Sequence, residues 1–259
     1  DNVKVKEPKT VSLFVTCLVD QLFPQVGVSV VNILNHFGLT VDFPKQQTCC
    51  GQLAFNNGYH DQAREVAEHF LASFKHSDYI ITPSGSCTSM IKTFYPSLFP
   101  THSELQTHAK RIADNTFEFS QFLVDILEIR NRRTRVAAPT RVTFHDACHA
   151  LRELGISQAP RTLIEGIEGV ELIESEGHSS CCGFGGTFSV KYPEISNAIL
   201  QDKIEHIRDS RADYVVSVDS SCLMQIGTAL SRQGIQTKPI HLAELIATSL
   251  GNGDDSNQD

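Results

Sequence analysis

The chain has 259 residues, 41% of them hydrophobic, and a formal charge of −8. That length suits one large domain or two of about 130 residues, and an acidic balance argues against nucleic acid as a partner. No apolar run approaches the ~20 residues needed to cross a bilayer, and the polar start DNVKVKEPKT does not read as a signal peptide.

Residues 11–16 (VSLFVT) predict a buried strand, with Cys17 at its C-terminal end. A helix is expected over 24–37, where Val30, Ile33, Leu34 and Phe37 share a face and Gly38 follows as a stop. Cys49-Cys50-Gly51 then falls in a loop before a helix over 58–75, whose apolar side holds Ala63, Val66, Ala67, Phe70, Leu71 and Phe74. A strand over 78–82 leads to Cys87 at a helix start. The stretch RNRRTRVAAPT (130–140) reads as a linker. Its basic cluster, Arg130, Arg132, Arg133, Arg135 and Arg141, suits a solvated connection or a docking patch for an acidic partner. Beyond it come a strand over 141–145 ending near Cys148, a helix over 159–165 and a strand over 170–174. Cys181-Cys182-Gly183, a helix over 192–207, a strand over 213–218 and Cys222 complete the pattern. GNGDDSNQD (251–259) reads as a disordered tail.

The chain is written twice. Cys17, Cys49-Cys50-Gly51 and Cys87 recur as Cys148, Cys181-Cys182-Gly183 and Cys222, offset by 131–135 residues. SDYIITPSGSCTSMI (77–91) aligns with ADYVVSVDSSCLMQI (212–226). Strands alternating with helices mean an α/β fold with a mostly parallel sheet. The expected architecture is therefore two pseudo-symmetric Rossmann-like halves related by internal duplication, over 1–134 and 135–250. Ligands of such folds bind outside the carboxyl ends of the strands, so the four cysteines of each half can converge despite their separation.

Eight cysteines in a chain large enough to bury a core, with no export signal, point to metal or redox chemistry rather than to a disulfide framework. Gaps of 31–39 residues and adjacent cysteine pairs are unlike the short knuckles of structural zinc. Adjacent thiolates suit different irons of one [4Fe–4S] core, which takes four cysteines. Spacing thus ranks iron–sulfur first and leaves zinc and metal-free thiol chemistry open. Gly51, Gly183, Gly185 and Gly186 would let the backbone approach a bulky cluster, or would simply form tight turns. GFGG (183–186) does not match the dinucleotide pattern.

These motifs resemble the cysteine-rich CCG domain family, which includes the cysteine-rich subunit of heterodisulfide reductase. CCGFGGTFSVKYPEIS (181–196), HDACHALRELG (145–155) and DSSCLMQIGTAL (219–230) are most similar to the lactate-utilisation protein A family, also described as the iron–sulfur subunit of L-lactate dehydrogenase. The resemblance implies an electron-transfer subunit with two [4Fe–4S] clusters, one per half, or with zinc in one of them. It also implies partner subunits, one a ferredoxin-like iron–sulfur protein, that together oxidise L-lactate to pyruvate. The implied location is cytoplasmic, at the inner membrane face only through partners. Two alternatives accompany it: a thiol or heterodisulfide reductase acting at a CCG-bound cluster, and a zinc-stabilised scaffold. Ser84 in SGSC and Asp219 in DSSC stand where the full motif has a fifth cysteine, so four thiols remain per half.

Around the cysteines, Asp219 and Ser84 are expected to cap helices, with Asp219 also available as an oxygen ligand. His145 is expected to end a strand and bond locally, and Asp146 to cap the next helix. His149 is the spare ligand for a zinc site, and Phe188 and Tyr192 are packing groups. No lactate-oxidising hydride acceptor is visible in the sequence, so the chain reads as a relay.

Overall fold

The computed structural model describes residues 9–130 and 134–251. The first half runs β1 (Thr10–Leu13), α1 (Cys17–Leu22), α2 (Pro24–His36), β2 (Thr40–Asp42), α3 (Gln52–Asn56), α4 (His60–Ser73), β3 (Ile80–Thr82), α5 (Gly85–Ser89), α6 (Glu104–Asp114), β4 (Thr116–Glu118) and α7 (Phe119–Gln121). Single π-helical turns, Met90–Phe94 and Phe122–Ile126, continue α5 and α7. The second half runs β5 (Thr134–Phe144), α8 (Cys148–Leu154), α9 (Gln158–Glu165), β6 (Ile167–Leu172), α10 (Phe188–Lys191), α11 (Pro193–Ser210), β7 (Tyr214–Ser217), α12 (Ser220–Arg232), β8 (Lys238–His241) and α13 (Leu242–Gly251).

Each half is a four-stranded, wholly parallel sheet, with orders β2-β1-β3-β4 and β6-β5-β7-β8. The two orders are the same once the second half is renumbered from its own first strand, so the duplication extends to topology. The central strands β1, β3 and β7 are short and mostly buried, as parallel strands covered on both faces are, and the 11-residue β5 is continuously buried only over 142–144. Local chemistry sets the helix limits. Pro24 opens α2, and the end of α2 is closed by Gly38 N–H to Asn35 C=O and Leu39 N–H to Leu34 C=O, the paired bonds of a Schellman turn.

The expected elements are present with shifted ends. The main difference lies in the expected linker. Residues 134–140 are the first part of β5, which pairs with β6 through an irregularity between Arg135 and Thr140. Arg135 and Arg141 are therefore strand residues, while Arg132, Arg133 and the expected tail beyond 251 lie outside the described residues. Elements with no expectation attached include β2, β4, β8, α1, α6 and α13. Pro239 is tolerated in β8 because that strand is an edge, bonded only to β7.

The halves share one core. A large apolar cluster runs from Val11 and Leu13 through Phe119 and Phe122 to Val215, Leu242 and Ile246. A smaller one, built on Phe14, Phe70, Phe74 and Tyr95, fills the first half and includes Cys50 and Cys87. Contacts between halves obey the pseudo-symmetry: α5 packs on α8, and its equivalent α12 packs on α1. At the first junction Gly85 lies so close that a Cβ there would sit 2.5 Å from Ala150 Cβ. Among the described residues no helix is long and apolar enough to cross a membrane.

Candidate metal centre

The cysteines sit where the strand ends deliver them. Cys17 and Cys148 open α1 and α8, just past β1 and β5. Cys87 and Cys222 lie in the first turns of α5 and α12, just past β3 and β7. The two CCG loops precede α3 and α10. All eight thiols line a single cavity of about 180 Å³ at the junction of the halves, together with Gly185, Gly186, His149 and Leu53.

Within each set the sulfurs are close but unbonded. Cys17 and Cys49 Sγ are 3.9 Å apart and Cys50 and Cys87 Sγ 3.2 Å. Cys182 and Cys222 Sγ are also 3.2 Å apart, and all eight cysteines are free. A disulfide would need about 2.05 Å. In both loops the glycine after the pair is left-handed, with φ of 80° at Gly51 and 81° at Gly183. That turn aims its N–H back at the first cysteine, 3.3 Å from Cys49 Sγ and from Cys181 Sγ respectively. At Gly183 a Cβ would lie 2.4 Å from Ser196 C=O, against 3.3 Å from the Val66 side chain at Gly51.

The protons are shared unequally. Cys49 is held far below the usual thiol range, chiefly by the hydrogen bond from Cys17, then by Cys50, with the Gly51 N–H assisting. Cys148, Cys182 and the Gly183 N–H do the same for Cys181. Cys17, Cys50, Cys148 and Cys182 are pushed up by those same thiol contacts and then by burial. Each set thus holds a thiolate ready, and a bound cation would release the remaining protons.

Asp219 and Ser84 are caps, and Asp219 caps across the halves. One carboxylate oxygen accepts from Ser221 N–H at 3.2 Å and from the Ser221 hydroxyl at 2.6 Å. The other accepts from Ser86 N–H at 2.8 Å and from the Ser84 hydroxyl at 3.3 Å. Ser84 Oγ in turn accepts Cys87 N–H at 3.3 Å. With four donors on its two oxygens, Asp219 is committed to the helix starts rather than to an ion.

Of the remaining neighbours, Asp146 and His145 depart from expectation. Asp146 does not cap α8. It is buried and bonded to both terminal nitrogens of Arg161 at 2.9 Å, and lies 2.7 Å from His178 Nδ1. Burial alone would raise its carboxyl; Arg161 and then His178 hold it below the usual range. The N-cap position of α8 falls on Ala147, with no side-chain cap, and the Asp146 side chain turns inward to the guanidinium. His145 does not bond locally through its ring. It is 1% exposed with both ring nitrogens unpaired, and a ring nitrogen groups with Cys182 and Cys222 Sγ within 4.8 Å. Burial, then the Lys203 charge, lower its pKa to about 3, so the ring is neutral. His149, the expected spare ligand, has Nδ1 3.6 Å from Cys148 Sγ at the cavity wall. Phe188 and Tyr192 pack ring to ring with centroids 5.7 Å apart.

Lys203 has no counterpart among the sequence expectations. It lies on the buried face of α11 with Leu200, Ile204 and Ile207, and its Nζ donates to Gly177 C=O at 2.6 Å and His178 C=O at 3.2 Å. Burial brings its pKa down to about 8, with the nearby thiols opposing. A lysine interrupting an apolar helix face is the signal that marks it.

The donor set fits a thiolate-bound metal or cluster. There are four thiols per half, a preformed thiolate in each, backbone N–H groups aimed at sulfur and an apolar surround, which are the features that hold and tune such groups. The chain matches the CCG cysteine-rich domain family over residues 11–92 and 142–227. It is 44% identical over 236 residues to lactate utilization protein A of Geobacillus sp. (strain WCH70), covering 91% of this chain and 98% of that protein. Lactate utilization protein A 2 of Bacillus cereus (strain AH820) is 43% identical over 93% of this chain and 98% of its own length. In three dimensions a hypothetical protein from Helicobacter pylori superposes with TM-score 0.64 at 12% identity over 95% of this chain, which spans 50% of that protein. The chain belongs to the lactate utilization protein A family of CCG cysteine-rich domain proteins.

Proposed function

We propose that this chain is the iron–sulfur electron-relay subunit of a multi-protein system that oxidises L-lactate to pyruvate. The observation that carries the reading is the pair of four-thiol sets at equivalent strand ends, both lining one cavity. The name of the relatives supplies the lactate context. In each half Cys17, Cys49, Cys50 and Cys87, or Cys148, Cys181, Cys182 and Cys222, would hold one [4Fe–4S] cluster, whose chemistry is reversible one-electron storage. The chain's own part is to hold the thiolates, to aim the Gly51 and Gly183 N–H groups at sulfur, and to keep Gly185 and Gly186 close around the group. Partner subunits, one of them ferredoxin-like, would oxidise lactate and exchange electrons with this chain in the cytoplasm, with each half, over 1–134 and 135–250, acting as a cysteine-rich module.

The test is functional. Anaerobic protein mixed with its partner subunits and L-lactate should show an EPR signal of reduced clusters in this chain. Cys182→Ser, combined with Cys50→Ser, should abolish it. Partner turnover with no change in this chain's spectrum would sink the relay reading. The shared cavity favours one second reading, a reductase of small thiols or disulfides at Cys181. Lactate-independent cleavage of a disulfide by the isolated chain would support that instead.

A further inference from the structure

The two cysteine sets are matched in backbone but not in what stands behind them. Cys17 and Cys148 fix one alignment, under which Phe14 corresponds to His145. The glycines fix another. Gly51 faces Ala63 C=O and Val66, and Gly183 faces Ser196 C=O and Ile199, so one turn further along α4 and α11 Phe70 corresponds to Lys203. Phe14 and Phe70 meet edge to face, with centroids 4.9 Å apart, in the apolar cluster that contains Cys50 and Cys87. In the second half that aromatic pair is replaced by an imidazole and an ammonium. A His145 ring nitrogen lies within 4.8 Å of Cys182 and Cys222 Sγ, and Lys203 is buried on α11, the helix whose Ser196 carbonyl faces Gly183. The Gly177 and His178 carbonyls hold the ammonium in place, and the buried carboxylates Asp146 and Asp219 are committed elsewhere, to Arg161 and to the starts of α5 and α12.

We infer that Lys203 and His145 make the second cysteine set the more easily reduced of the two centres, with the first set the low-potential partner. The inference rests on the iron–sulfur reading above. One-electron reduction adds a negative charge to a thiolate-rich group and transfers no atom. In a buried site a fixed ammonium stabilises that added charge strongly, and a polar imidazole ring beside the sulfurs, its nitrogens free of other partners, stabilises it as a dipole. Beside the first set the matching positions offer only aromatic hydrocarbon, which stabilises no added charge.

The experiment is an EPR-monitored redox titration of the full chain, purified or reconstituted anaerobically, with iron measured on every sample. Cys182→Ser leaves the first centre and Cys50→Ser the second, so each signal is assigned. The second centre should show the higher midpoint potential. Lys203→Met should lower that midpoint and leave the first unchanged, while Lys203→Arg should hold it near the wild-type value. His145→Phe, which restores the first-half residue, should also lower it and serves if Lys203→Met does not load. Iron in both sites with equal midpoints, or with the first centre higher, overturns the inference. So does a shift of both centres alike in Lys203→Met. Absence of iron from the wild-type chain overturns the cluster reading itself and is a different result.

Discussion

Asp219 is the side chain through which each half reads the other. Its two oxygens close the first turns of α5 and α12, which carry Cys87 and Cys222. Asp219→Ala should leave the part-buried Ser86 N–H and Ser221 N–H without their cap, at a cost of about 0.5–2 kcal/mol for each lost cap. We expect a denaturation midpoint lowered accordingly in the metal-free protein, with Asp219→Asn intermediate because one oxygen remains. A variant as stable as wild type would show that the cross-cap is incidental. The CCG glycines give a paired prediction. Alanine at either must adopt the left-handed region at about 1–2 kcal/mol. Gly183→Ala also meets a carbonyl where Gly51→Ala meets a movable side chain. Urea unfolding should therefore rank Gly183→Ala as the more destabilised of the two.

At the scale of elements, the α5–α8 contact holds the halves in register. Gly85→Val should destabilise by more than about 2 kcal/mol, since Ala150 leaves no room for even a first carbon. Thermal unfolding with a probe in each half checks it, and an unchanged transition would contradict this packing. Elements legible in the sequence are those with length and period, such as α2 with Val26, Val30, Ile33 and Leu34 buried on one face. TVD, TFE and KPIH are too short to show alternation, and the last contains a proline. In α6 only Ala109, Ile112 and Ala113 are buried, too sparse a stripe to stand out. The arginines at the start of β5 hide it, because the exposed end of a long strand looks like a linker. The repeat locates each set of four thiols, since strand ends converge in any parallel α/β sheet. That both sets share one cavity depends on how the halves pack, which no local pattern encodes.

For the whole molecule, stability should depend on pH through Glu118, which ends β4 with its carboxylate fully buried. One oxygen accepts from Ser120 N–H and Gln121 N–H while the other has no partner, and burial raises the carboxyl from 4.5 to about 7. A raised folded pKa favours the protonated fold. The contribution is complete below about pH 4, the unfolded value, and is lost as pH rises through about 7. Glu118→Gln should remove that slope, worth on the order of 3 kcal/mol, in denaturant titrations between about pH 4 and 8. An identical slope in the variant would contradict the assignment. The central claim is that two four-thiol sets each hold an iron–sulfur cluster. Iron and zinc analysis of the anaerobically purified chain tests it most directly. The account predicts a brown protein absorbing broadly near ~400 nm with about eight irons, and a colourless protein with stoichiometric zinc and no iron would contradict it.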